Sequence, residues 1–229
     1  MKAVVLAAGL GKRMRSLTKE KPKALVRLNG KPLLQHVLES FEKAGVKEVL
    51  VVVGFKGKLV KKKFGKQFGK IKLSYVTQRI PMGTAHAVLK ARGRVKGRFL
   101  VGSGDVVVEP GLWKRLLAKK GFDAVVALRP EKNPEKFGVA LVKGKKLMQL
   151  VEKPGKKIGS DLVNAGAYSF SQKIFPALAA TRVSRRGEFE ITDSINILAA
   201  EGKAGFVEYR GKCLDIGSRE DLKNAKEKK

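Results

Sequence analysis

"KAVVLAAGLGKRMRSLTKEKPKAL", residues Lys2 to Leu25, decides how the rest of the chain is read. Lys2–Ala7 is a near-continuous apolar run, which suits a strand buried on both faces rather than an alternating, half-exposed one. Gly9 and Gly11 then open a turn, and Lys12, Arg13, Arg15, Lys19, Lys21 and Lys23 follow. A turn that exposes backbone N–H groups beside cations suits a polyphosphate, but several unrelated loops share that property. A dinucleotide fingerprint requires G-x-G-x-x-G, and Met14 stands where its third glycine belongs. A Walker loop requires G-x-x-x-x-G-K-[ST], yet Leu6 replaces the first glycine and Arg13 the hydroxyl residue. What remains is a strand, a Gly-x-Gly turn, Arg13, and the pair Pro22–Lys23, with the proline fixing the angle at which Lys23 is presented.

Working outward, the first half alternates strand and helix. "KPLLQHVLESFEKAG" sets Leu33, Leu34, Val37, Leu38 and Phe41 on one helical stripe, with Pro32 at its start and Gly45 past its end. "EVLVVVG" and "KLSYVT" read as strands, "TAHAVLKAR" as a helix, "RFLVGSGD" as a strand ending on an acid, and "DAVVAL" as a further strand. Repeated strand–helix–strand units imply parallel pairing, hence an α/β fold with a doubly wound, mostly parallel sheet. In the second half, "FGVALV", "LMQLVEKP" and "LVNAGAYSF" read as short strands of a small antiparallel excursion at the sheet edge. Helices near Gln172–Ala180 and Ile191–Ala200, strands "GFVEYR" and "CLDIG", and a helix from Ser218 complete the pattern.

At 229 residues the chain can bury roughly 70% of its unfolded surface in one large domain. No internal repeat, low-complexity linker or composition break marks a second one. The lone Cys213 permits no internal disulfide and no cysteine-based metal cluster. With an N-terminal apolar run too short for a signal core or membrane span, this predicts a cytoplasmic protein without a membrane partner. Fifty Lys and Arg against twenty Asp and Glu give a formal charge of +30, which would favour nucleic acid or any polyanion. The densest run, "KGKLVKKKFGKQFGKIK", reads more simply as the solvated face of a short helix whose Leu59, Val60 and Phe64 point inward. No nucleic-acid motif accompanies the charge, so nucleic acid is disfavoured as a partner.

"LAAGLGKRM…KPKAL" resembles the signature of the sugar-1-phosphate nucleotidyltransferases. Seven further segments agree in order: "QRIPMGTAHA", "GSGD", "FGVALV", "VEKP", "VNAGAYSF", "RGEFEITD" and "CLDIGSREDL". The resemblance covers nearly the whole chain and is strongest to archaeal thymidylyl- and uridylyltransferases. It implies a Rossmann-like nucleotidyltransferase fold with residues 1–229 as a single nucleotidyltransferase domain. Such relatives often continue into a left-handed β-helix acyltransferase domain, and this chain is expected to lack one. A homo-oligomer is compatible with the resemblance.

The same resemblance implies the site. Leu6, Ala8, Gly9, Gly11, Lys12, Arg13 and Lys23 would cradle the nucleotide, and Gln78, Gly83 and Thr84 would read the base. Gly138, Glu152, Lys153, Asn164 and Glu188 would bind the sugar phosphate, and Asp105 with Asp215 would hold Mg2+. Arg13, Lys23 and Lys153 would be catalytic, because joining two anionic reactants is mainly a matter of neutralising and aligning them. His86 is read as structural, and with only His36 besides, no histidine metal site can be built. Two departures stand out: Lys12 where the family usually has Thr, and Cys213 where an aromatic is common. The expected substrates are UTP or dTTP and a sugar 1-phosphate. The alternatives are a CTP-dependent cytidylyltransferase acting on a polyol, choline or sugar phosphate, and a non-enzymatic nucleic-acid binder.

Overall fold

The apolar run after Lys2 becomes β1 (Lys2–Ala7), in which Ala3, Val4 and Val5 are wholly buried. The computed structural model describes residues 1–227 of the chain. A short hairpin, β2 (Arg27–Leu28) and β3 (Lys31–Pro32), leads into α1 (Leu33–Lys43). All five stripe residues of α1 are buried, Pro32 is its N-cap, and Gly45 takes φ 88 just past Ala44. Then follow β4 (Glu48–Val53), α2 (Gly57–Phe64), β5 (Gln67–Phe68), β6 (Ile71–Thr77), α3 (Thr84–Leu89) and β7 (Phe99–Ser103). Next come β8 (Val106–Val108), α4 (Pro110–Ala118), β9 (Ala124–Pro130), β10 (Gly138–Lys143), β11 (Lys146–Glu152) and β12 (Leu162–Phe170). The last described elements are α5 (Ile174–Ala180), α6 (Ile191–Ala200), β13 (Ala204–Glu208), β14 (Cys213–Asp215) and α7 (Arg219–Glu227).

One ten-stranded sheet draws strands from both halves, in the order β10-β11-β13-β9-β12-β7-β1-β4-β6-β5. β7, β1, β4 and β6 are parallel, as expected of repeated strand–helix–strand units. "LVNAGAYSF" departs from its expected place. As β12 it runs through the middle of the sheet, antiparallel to both β7 and β9. Its residues show why: Val163, Ala165, Ala167, Tyr168, Ser169 and Phe170 are all buried, which an edge strand would not require.

Apolar layers cover both faces. Leu34, Val37, Leu38 and Phe41 of α1 join Trp113 of α4 on one face. Val88, Ile174, Leu178, Ile195 and Leu198 cover the other. A third cluster pins Met14 of the opening loop against Val26, Leu28, Leu33, Ile216 and Leu222, tying the loop to the C-terminal region. On α2, Val60 and Phe64 point inward as expected, but Leu59 is exposed. A single 8-residue helix turns one narrow stripe to the core, and Leu59 lies off it. Among the described residues no helix is long and apolar enough to cross a membrane.

Candidate active site

Open α/β sheets offer ligands the carboxyl ends of their parallel strands. Here β1 runs out into the Gly9–Gly11 turn, β6 into Gln78, and β7 into Gly104–Asp105. The basic loop is helical rather than extended: Lys12–Thr18 and Lys23–Leu25 are 3-10 turns. Gly11 starts the first at φ 65, where a Cβ would come 2.9 Å from Thr18 Cγ2, so the turn needs glycine on both counts. The Thr18 hydroxyl donates to the Gly11 carbonyl at 3.0 Å. Gly104 N–H donates to the Leu6 carbonyl at 2.9 Å, so Leu6 joins the loop to the strand end carrying Asp105. The Lys12 side chain lies outside the described part of the structure.

Asp105 and Asp215 meet through a small two-stranded pairing. β14 runs antiparallel to β8 with Asp215 opposite Val106, and Ile216 N–H donates to the Asp105 carbonyl at 3.0 Å. Burial and the Asp105 charge both push the Asp215 carboxyl well above its ordinary value, while Lys23 and Arg129 pull it back. Lys23 is ion-paired with Asp105. Arg13 packs against Gly217, two residues past Asp215, its Nη2 2.9 Å from where a Cβ there would sit. Two neighbouring carboxylates, one of them held uncomfortably in its charged form, fit a divalent cation. Among the described residues no three or more His, Cys, Asp or Glu cluster as a ready cage. Water and phosphate oxygens would complete the ligand set, which is the habit of Mg2+.

The residues expected to hold the sugar phosphate also converge. Gly138 is the register partner of Glu152, and a Cβ at 138 would lie 3.2 Å from Glu152 Oε2 and 3.5 Å from Asn164 Cβ. A bulge in β12 between Asn164 and Tyr168, with Gly166 at φ 69, bends the strand at the site. The Asn164 amide is engaged at both ends, donating to the Tyr168 hydroxyl at 2.8 Å and accepting from Gly166 N–H at 3.0 Å. Lys153 holds φ 43, rare for a non-glycine residue, and its Nζ stands 3.7 Å from Glu152 Oε1. Burial, with the charges of Glu152, Asp215 and Glu190, raises the Tyr168 hydroxyl pKa.

Several side chains that contact these residues were not among those expected from the sequence. Arg186 bridges Glu152 at 3.1 Å and Glu190 at 3.0 Å. Glu190 is buried, whereas the expected Glu188 is half-buried. Burial first, then the Glu152 charge, raise the Glu190 pKa. The alternation in "EFE" was the available signal, since residues two apart share a face of extended chain. Arg129 stacks on Phe137 at 4.9 Å and lies beside Cys213. Burial drives the Cys213 thiol up to about 11, which removes it as a nucleophile.

Gln78 is buried and its Nε2 donates to the Gly83 carbonyl at 3.1 Å. His86 Nδ1 stands 2.9 Å from the same nitrogen, so this histidine touches the residue expected to read the base. Gly83 takes φ 101, and a Cβ there would lie 2.5 Å from the Phe189 carbonyl oxygen and 3.0 Å from Glu188 Cβ. The Thr84 hydroxyl accepts from Ile191 N–H at 2.9 Å. The segments expected to read the base and to bind the sugar are therefore laced together, with Thr84 as part of the lacing.

Carboxylates at strand ends beside a cationic glycine turn form the layout of a phosphate- and metal-handling α/β protein. The Nucleotidyl transferase family model matches residues 2–229, and the chain belongs to that family. The bifunctional protein GlmU of Methanocaldococcus jannaschii is 38% identical over 226 residues, 98% of this chain and 53% of GlmU. The chain thus spans about half the length of the GlmU relatives it matches. The UTP–glucose-1-phosphate uridylyltransferase AglF of Haloferax volcanii is 32% identical over 234 residues, 100% of this chain and 96% of AglF. Among solved structures, one assigned as a glucose-1-phosphate thymidylyltransferase from Bacillus anthracis, in complex with a sucrose, has a TM-score of 0.90 at 26% identity. That likeness covers 99% of this chain and 94% of the other.

Proposed function

We propose that the protein transfers a nucleotidyl group from UTP or dTTP to a sugar 1-phosphate, releasing pyrophosphate and forming a nucleotide sugar in the cytoplasm. The observation that carries this reading is the β8–β14 pairing, which seats Asp105 beside Asp215 facing the Arg13–Lys23 loop. A polyanion binder has no use for acidic groups at that position.

In the reaction, an oxygen of the sugar phosphate attacks the α-phosphorus in line. A new P–O bond forms as the bond to the β-phosphate oxygen breaks, and the electron pair leaves with pyrophosphate. Arg13 and Lys23 hold the triphosphate and meet the charge that grows on the leaving side. Lys153 neutralises the incoming sugar phosphate, and Glu152 with Glu188 accepts from sugar hydroxyls beside Gly138 and Asn164. Mg2+ held by Asp105 and Asp215 would supply charge neutralisation between the two phosphates. Gln78 and the backbone at Gly83 read the base.

Pyrophosphate release over a panel of nucleoside triphosphates and sugar 1-phosphates tests the proposal. Turnover with UTP or dTTP and at least one sugar 1-phosphate, lost on chelation, is expected. Activity confined to CTP would move the chain to the cytidylyltransferases, and tight nucleic-acid binding without turnover would overturn the reading.

A further inference from the structure

An amide that reads a base is ambiguous, because a half-turn exchanges its donor for its acceptor. At Gln78 the surroundings remove the ambiguity. The Gly83 carbonyl can only accept, and it lies 3.1 Å from Gln78 Nε2. That carbonyl is itself immobile: it accepts from Ala87 N–H at 3.2 Å, and Gly83 is wedged against Phe189. His86 Nδ1, 2.9 Å from the same Nε2, is a second partner for the amide nitrogen. With Nδ1 unprotonated, both hydrogens of the amide are used, one on each acceptor. Rotating the amide would then set its oxygen against two acceptors at once.

We infer that His86 is a positioning residue, which locks the Gln78 amide with Oε1 outward so that the base site accepts only a base bearing N3–H. Uracil and thymine present that hydrogen, whereas N3 of cytosine is an acceptor and meets Oε1 as a mismatch. The inference rests on the base reading proposed above and gives His86 a role beyond packing. Burial, with the charge of Lys90, lowers the imidazole pKa, which favours the neutral ring that this arrangement needs.

The test compares kcat/KM for UTP and CTP in the wild type, Gln78→Leu, His86→Phe and His86→Asn. Phenylalanine keeps bulk and removes the acceptor, so the UTP-to-CTP ratio should fall about ten-fold, the effect of one lost hydrogen bond. Asparagine places an amide oxygen near the Nδ1 position and should hold the ratio within about three-fold of the wild type. A ratio that stays high in His86→Phe but collapses in Gln78→Leu overturns the inference and leaves the base reading standing. A ratio unmoved by Gln78→Leu overturns both. Should His86→Phe fail to fold, long-range 1H–15N spectra of the wild-type histidines decide: an unprotonated Nδ1 on His86 at neutral pH supports the lock, and a protonated one overturns it.

Discussion

Lys23 lies with its ammonium on the carboxylate of Asp105, a residue 82 positions away in the chain. The group proposed to hold the triphosphate is thus the resting counter-ion of a group proposed to hold the metal. A cation bound at Asp105 would compete with Lys23 for this carboxylate, and a displaced ammonium would be free to meet the phosphates. Lys23→Met should therefore lower kcat by about 10²–10³. The same variant should bind Mn2+ without nucleotide roughly two- to five-fold more tightly, the scale of one partly exposed ion pair. Calorimetric titration of the free protein reads the second effect, and unchanged or weaker metal binding would show that the two events are independent.

Lys153 combines charge with an uncommon backbone. Its φ of 43 suits glycine, and its N–H donates to the Phe137 carbonyl at 3.0 Å, which holds it there. Removing the cation should cost about 10²–10³ in kcat and weaken sugar phosphate more than nucleotide. Lys153→Ala and Lys153→Gly should be equally poor catalysts. The glycine variant should be the more stable by about 1 kcal/mol, because only alanine keeps a Cβ in the left-handed region. Equal melting temperatures for the two would show that the backbone is unstrained.

A buried polar relay supports β8 from behind. Trp113 Nε1–H donates to Ser40 Oγ at 2.9 Å, and the Ser40 hydroxyl donates to the Val108 carbonyl at 2.6 Å. Ser40→Ala strands a buried N–H and a buried carbonyl together, which should cost about 1–3 kcal/mol. Thermal denaturation should show a drop of several degrees. No drop would mean that water or a shifted backbone satisfies both groups.

α1 was legible because its apolar period is long and cleanly bounded, with five stripe residues and a glycine stop, whereas the short strands β2, β3, β5 and β8 and the helix α4 went unread. Strand order was harder to read. β12 has the short, glycine-broken look of an edge strand, and only its pairing with both β7 and β9 reveals its central place. Of the residues expected at the site, Lys23, Asp105 and Asp215 come together, and so do Gly138, Glu152, Lys153 and Asn164. Arg129, Arg186, Glu190 and the contact of His86 with Gln78 stayed hidden, because each depends on which loops fold over one another. In a chain this basic, moreover, no single arginine stands out.

Asp215 supplies a prediction whose sign can be worked out. Its carboxyl is raised by burial and by Asp105, so the metal-free fold keeps a proton that the unfolded chain releases nearer pH 4. Between the unfolded and folded values the native state binds more protons, and stability must fall as pH rises through that window. Above the folded value the penalty is constant, and below the unfolded value it is absent. Asp215→Asn cannot ionise, so it should stabilise the metal-free protein by about 1–2 kcal/mol at pH 7. It should also remove that descending limb while abolishing most turnover. Saturating Mg2+ should raise the melting temperature of the wild type but not that of Asp215→Asn. Urea denaturation across pH 4 to 8 in chelator checks the first part. A variant less stable than the wild type at neutral pH would mean that the Asp215 carboxylate is held by hydrogen bonds rather than strained by its neighbour.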